Sequence, residues 1–176
     1  EFVSCLNVAK GRFVTLCAAS KTFNLAGLHL SNIIVPNADL RRRMQTAINE
    51  VGLPGPNLFA LTAGNAAFRH GAPWLDALRD YLAENRKFAD EYIAAHIPAL
   101  TAYQAQGTYF LWLDCRKLAL DDQALEQFML HKAGIWANQG HIFGRQGSGF
   151  VRLNLALPRT KLAQSLERLD LAVAAL

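Results

Sequence analysis

From Pro73 onward, apolar side chains recur at helical spacing for about 25 residues, through Trp74, Leu78, Tyr81, Leu82, Phe88, Ala89, Tyr92 and Ile93. Proline suits the first turn of such a helix. A helix this long predicts a link between two subdomains, and beyond Pro98 the character of the sequence changes accordingly. Before the helix, residues 12–19 form an apolar, partly β-branched run ending in small residues. That run predicts a short buried strand in a sheet covered on both faces. A turn carrying Ser20 and Lys21 follows, then a second strand-like run over 28–35 that stops at Pro36-Asn37. Residues 38–51 place Leu40, Met44, Ala47, Ile48 and Val51 on one side of a helix that Gly52 closes. The turn-rich loop 52–57 leads to an Ala-rich helix over 58–70, which Asn57 is well suited to cap.

After Pro98, residues 101–103 and 109–114 read as strands and 121–133 as a helix whose acidic start complements its dipole. A short apolar piece at 135–137, a Gly-rich loop over 140–149, a strand over 150–156 and a helix over 160–175 complete a compact α+β unit. There is no internal repeat. Hydrophobic residues make up 52% of the chain against 18% charged, which excludes a disordered or low-complexity class. The net charge of +4 is spread along the chain apart from Arg41-Arg42-Arg43, so no nucleic-acid partner is expected. No apolar stretch approaches the roughly 20 residues that span a bilayer, so no membrane partner is expected either. Cys5, Cys17 and Cys115 are odd in number and contain no C-x-x-C pair. They disfavour a disulfide framework or a zinc site and suit a reducing compartment, the cytoplasm by default. His70, His96, His131 and His141 lack metal-ligand spacing, so no metal is expected.

Two residues stand out chemically. Lys21 follows an apolar strand in a turn, where α/β proteins place ligands, although spacing alone favours a solvated turn lysine. Arg152 sits inside a strand between Val151 and Leu153, on the face of Phe150 and Asn154. From the pattern it is equally a core-edge ion pair or a carboxylate clamp.

Three ordered blocks carry a resemblance: Ser20-Lys21-Thr22-Phe23-Asn24-Leu25-Ala26-Gly27-Leu28, Gly107-Thr108-Tyr109-Phe110-Leu111-Trp112-Leu113-Asp114, and Phe150-Val151-Arg152-Leu153-Asn154 with Pro158-Arg159. Together they resemble the fold-type I enzymes that use pyridoxal 5'-phosphate, most closely the cystathionine β-lyase (carbon–sulfur lyase) branch of the class I/II aminotransferase superfamily. The resemblance runs from about Phe13 to the end of the chain. It implies an α/β fold class: the C-terminal part of a three-layer α/β/α large domain over residues 1–75, then a bridging helix and small α+β domain over 76–176. Family members place their lysine well past the middle of a much longer chain, so this chain is expected to match only their C-terminal half.

By the resemblance, Lys21 matches the lysine that binds the cofactor aldehyde covalently, and Ser20 the neighbouring hydroxyl that helps hold its phosphate. Arg152 matches the arginine that grips the substrate α-carboxylate. His29 stands where many aminotransferases carry a phosphate-binding arginine, and Tyr109 is a candidate for contact with substrate. Phe110 and Trp112 read as ordinary sheet core. Condensation with an aldehyde needs a free amine, which desolvation and nearby positive charge favour. The implied reaction is an α,β-elimination on a sulfur amino acid, giving a thiol, pyruvate and ammonia, by a homodimer in the full-length form. An aminotransferase uses the same lysine and arginine, and a non-catalytic fragment is the reading from a different class.

Overall fold

A computed structural model describes residues 3–53 and 55–176; Pro54, within the turn-rich loop, lies outside the described residues. The chain divides into two units, Glu1–Ala77 and Leu78–Leu176.

In the first unit a short helix, α1 (Cys5–Val8), precedes β1 (Thr15–Cys17), which pairs antiparallel with β2 (Asn32–Ile34). This corrects the buried strand expected over 12–19. Three of those residues enter a ladder, no third strand extends the pair among the described residues, and Leu16 is 70% exposed. An apolar run reads alike whether or not anything covers it. The second strand also starts later than expected, because Ala26–Leu28 is a 3-10 turn that His29 ends with a left-handed backbone, φ +52°. His29 is therefore a turn residue and not a strand residue.

Helix α2 (Ala38–Glu50) begins where Asn37 Oδ1 accepts the Leu40 N–H at 2.9 Å and ends at Gly52, φ +65°. Asn57 does cap α3 (Leu58–His70), its Oδ1 accepting the Ala60 N–H at 2.8 Å. The small residues of α3 let it approach the segment that follows β1: a Cβ on Gly64 would lie 2.4 Å from Leu30 Cδ2. Leu58, Phe59, Leu61 and Phe68 of the same helix are exposed. The long periodicity is a single helix, α4 (Ala72–His96), with Pro73 in its first turn.

The second unit is a four-stranded antiparallel sheet in the order β3 (Thr101–Tyr103), β4 (Phe110–Asp114), β6 (Phe150–Asn154), β5 (Asn138–Gln139). The register pairs Leu113 with Val151 and Trp112 with Arg152, so strand alternation sorts the two faces. Leu111, Leu113 and Val151 have no exposed surface and join the core. Opposite them pack Ala89 and Ile93 of α4, Leu125 of α5 (Asp122–Gln127), and Leu162, Leu166 and Leu169 of α6 (Arg159–Ala174). Each of the buried Leu, Ile and Val side chains contributes about 1.5–3 kcal/mol by leaving water. Helix α5 is shorter than the expected 121–133, because residues Phe128–Lys132 widen into a π turn in which the Ala133 N–H reaches Phe128 O at 3.0 Å.

The loop over 140–149 folds back on itself through two glycines. A Cβ on Gly147 would lie 2.1 Å from Gly140 O, and one on Gly140 would lie 2.2 Å from Gly147 O. Neither obstacle is a side chain that can swing aside. Gly147→Ala is therefore expected to cost about 2–3 kcal/mol of stability, as overpacking does, and to lower the urea midpoint of the second unit. An unchanged midpoint would mean that the loop opens without cost.

Candidate functional site

The chemistry-bearing residues fall into two groups, one in each unit. In the first, β1 ends at Cys17 and the chain turns at once, with the Phe23 N–H bonding to Ala19 O at 2.9 Å and the Leu25 N–H to Ser20 O at 3.1 Å. Asn24 takes a left-handed backbone, φ +55°, to complete the turn. Lys21 lies within it and is exposed, whereas Ser20 is half-buried. Neither side chain has a hydrogen bond or ion pair among the described residues. Phe23 anchors the turn: its ring lies 6.3 Å from Phe68 and 5.8 Å from Trp74, and a Cβ on Gly71 would strike it at 2.3 Å. His29, exposed at the end of the following 3-10 turn, shares the unit with Ser20 and Lys21 but not their turn.

In the second unit Arg152 stands on the sheet face opposite the aliphatic core. Its guanidinium carbon lies 4.0 Å from the Phe110 ring centroid and 4.6 Å from that of Phe143. Nη2 donates to Asn138 Oδ1 at 2.9 Å, across the β5–β6 pairing that sets Asn138 beside Arg152. Nε is buried without a partner, and no carboxylate among the described residues forms an ion pair with this arginine. Of the two readings the sequence left open, the core-edge ion pair is thus absent among the described residues. Trp112, opposite Arg152 in register, stacks on Phe150 at 5.6 Å and meets the Phe143 ring edge-on at 5.8 Å. Phe110 and Trp112 are consequently not core residues, as expected above, but half-buried members of the arginine's own face. Tyr109 packs on Phe110 with ring centroids 4.5 Å apart.

Asn138 and Phe143 were missed by sequence reasoning. Asn138 becomes a neighbour only through the register of a two-residue strand, and Phe143 arrives on a loop with no local period. Alternation about Arg152 and within β4 did carry the signal for Phe110 and Trp112.

Asp122 fastens the start of β6 and the loop before it, accepting the Ser148 hydroxyl at 3.0 Å and the Gly149 N–H at 3.0 Å. The Gly149 N–H foremost, with the Ser148 hydroxyl and the nearby His141 assisting, holds its carboxyl below the ordinary aspartate value. A group depressed in the folded state stabilises above its unfolded value and loses that contribution as pH falls through the folded one. In an NMR pH titration the Gly149 amide proton is expected to shift with a midpoint below the ordinary aspartate value. A midpoint at or above that value would remove Asp122 as the anchor. Among the described residues, no group of His, Cys, Asp and Glu could hold a metal ion, and no helix is long and apolar enough to cross a membrane.

No family model matches the chain. It is 39% identical over 170 residues to Protein MalY of Escherichia coli, covering 96% of this chain and 44% of that one. It is 37% identical over 160 residues to the cystathionine beta-lyase PatB of Bacillus subtilis, covering 91% and 41% respectively. Among solved structures it superposes on cystalysin of Treponema denticola, which contains pyridoxal 5'-phosphate, with a TM-score of 0.87 and 36% identity over 92% of this chain and 41% of that one. The chain thus spans less than half the length of these relatives.

Proposed function

For a chain related along most of its length to the cystathionine β-lyase branch of the fold-type I pyridoxal-phosphate enzymes, and sharing their fold, we propose a role in carbon–sulfur β-elimination from an amino acid. In this reading residues 1–75 belong to the cofactor-binding large domain and residues 76–176 form the bridging helix and small domain. The observation that carries it is the state of Arg152: a guanidinium held by two aromatic rings and one amide, with a buried Nε unpartnered and no carboxylate among the described residues to neutralise it. Such a group is complementary to an incoming carboxylate, because the planar fork makes charge-assisted hydrogen bonds with fixed geometry.

The residues of the first unit fit an aldehyde cofactor. A primary amine available for condensation must be free of a carboxylate partner, as Lys21 is among the described residues, and the hydroxyl of Ser20 beside it is uncommitted. When bound, pyridoxal phosphate supplies an aldehyde for the amine and a ring that accepts electrons from the substrate Cα. Ser20, with His29 as a further candidate, would hold the phosphate. Arg152 fixes the substrate carboxylate and so decides which Cα bond is presented for cleavage. Lys21 Nζ takes the Cα proton. The Cβ–S bond then breaks with its electron pair leaving on sulfur, and the remaining three-carbon unit hydrolyses to pyruvate and ammonia. Tyr109, packed on Phe110, would border the substrate.

A homodimer in the cytoplasm belongs to the same reading. The exposed apolar side chains Leu58, Phe59, Leu61 and Phe68 of α3 support association, and the free cysteines support a reducing compartment. The test is chemical. Incubating the chain with pyridoxal phosphate and reducing with borohydride is expected to leave a stable adduct on Lys21 in preference to every other lysine, as read by peptide mass mapping. Labelling spread evenly over the lysines would overturn the proposal.

A further inference from the structure

Arg152 is flexible in principle, with four side-chain torsions, yet its surroundings remove that freedom from three directions. Phe110 reaches it from β4, Phe143 from the loop over 140–149, and Asn138 from β5. With two rings within 5 Å of its central carbon, the guanidinium is closed to a ligand from those sides, and the bond from Nη2 to Asn138 Oδ1 restricts its rotation. Phe143 is itself kept in place by the edge of Trp112 and by a loop closed through the Gly140–Gly147 contact.

We propose that Asn138 and Phe143, with Phe110, are positioning residues that hold the Arg152 guanidinium in one orientation before substrate arrives, leaving its terminal Nη1, which makes no hydrogen bond among the described residues, to receive a carboxylate while Nε stays buried behind it. The inference rests on the reading of Arg152 as a carboxylate clamp and adds the residues that set its geometry. An arginine held in advance loses less rotamer freedom on binding, so these three residues act on affinity through Arg152 without touching the reacting atoms. Their removal is expected to weaken binding rather than to alter proton transfer.

Arginine side-chain NMR on the isotope-labelled chain separates the two levels. The Arg152 Nε–Hε signal, assigned by its loss in Arg152→Lys, is expected to lie upfield of the other arginines through the ring currents of Phe110 and Phe143. Phe143→Leu should return it part of the way, Phe110→Leu likewise, and Asn138→Ala should broaden or shift it, each variant first checked for native methyl dispersion. Acetate serves as the carboxylate probe; it should move this signal in the unmodified chain, with about tenfold weaker affinity in Asn138→Ala and Phe143→Leu. An Hε signal at the position of a free arginine, or one unmoved by all three substitutions, overturns the positioning role. A shifted signal that responds to the substitutions but not to acetate upholds the positioning and overturns the clamp. If any one variant fails to fold, the other two still decide the matter.

Discussion

Lys21→Ala is expected to abolish covalent retention of pyridoxal phosphate and to reduce pyruvate release from L-cystathionine by at least about 10³-fold, within the range for loss of a positioned general base. One nitrogen serves two purposes in the proposed reaction, as nucleophile toward the aldehyde and as acceptor of the Cα proton, and alanine serves neither. Lys21→Arg should fail similarly, since a guanidinium keeps the charge but does not deprotonate. Both variants should fold, because the turn is held by the carbonyls of Ala19 and Ser20 and by the Phe23 ring, none of which involves the lysine side chain. A surface change of this kind is usually worth no more than about 0.5 kcal/mol. Undiminished pyruvate release in Lys21→Ala, measured beside the unmodified protein, would end the mechanistic assignment.

The largest stability effect is expected from Asn85→Leu. Asn85 has no exposed surface, and its amide is fully used: Nδ2 donates to Leu155 O at 2.8 Å and Leu157 O at 3.0 Å, while Oδ1 accepts from Arg159 Nε at 2.7 Å. It therefore ties the middle of α4 to the chain as it leaves β6 and enters α6. Leucine matches the volume but leaves two carbonyls and a guanidinium N–H without a partner. At about 1–3 kcal/mol per unsatisfied group, and allowing for partial relaxation, the loss should be about 3–5 kcal/mol. Asn85→Asp should be no better, since it keeps an acceptor for Arg159 but places a carboxylate against two carbonyl oxygens. Hydrogen exchange at the buried Val151 amide, followed in urea, would read the change within the second unit. Protection unchanged in Asn85→Leu would show that these bonds carry no net stability.

Most of the helices could be read along the chain. The span of α3, the first turn of α4 at Pro73 and the capping by Asn57 follow from side chains within a few residues of one another, and periodicity or a cap is a local signal. The strands were harder. Residues 12–19 are apolar enough for a covered strand but contribute three residues to an exposed pair, because coverage depends on what else packs there. The π turn at Phe128–Lys132 was invisible for a related reason. One extra residue in a helical turn leaves the apolar period almost unchanged.

The candidate site divides in the same way. Lys21 in its turn and Arg152 on the non-core face of a strand are consequences of residue order, since a turn and a two-residue alternation need only near neighbours. That Arg152 meets no carboxylate among the described residues but two phenylalanines and an asparagine depended on strand register and loop closure, which bring together residues 9, 14 and 42 positions apart along the chain. Contacts of that kind form only once the sheet has folded, because the free energy that selects them is shared across the whole packed unit and is not carried by any one stretch of sequence.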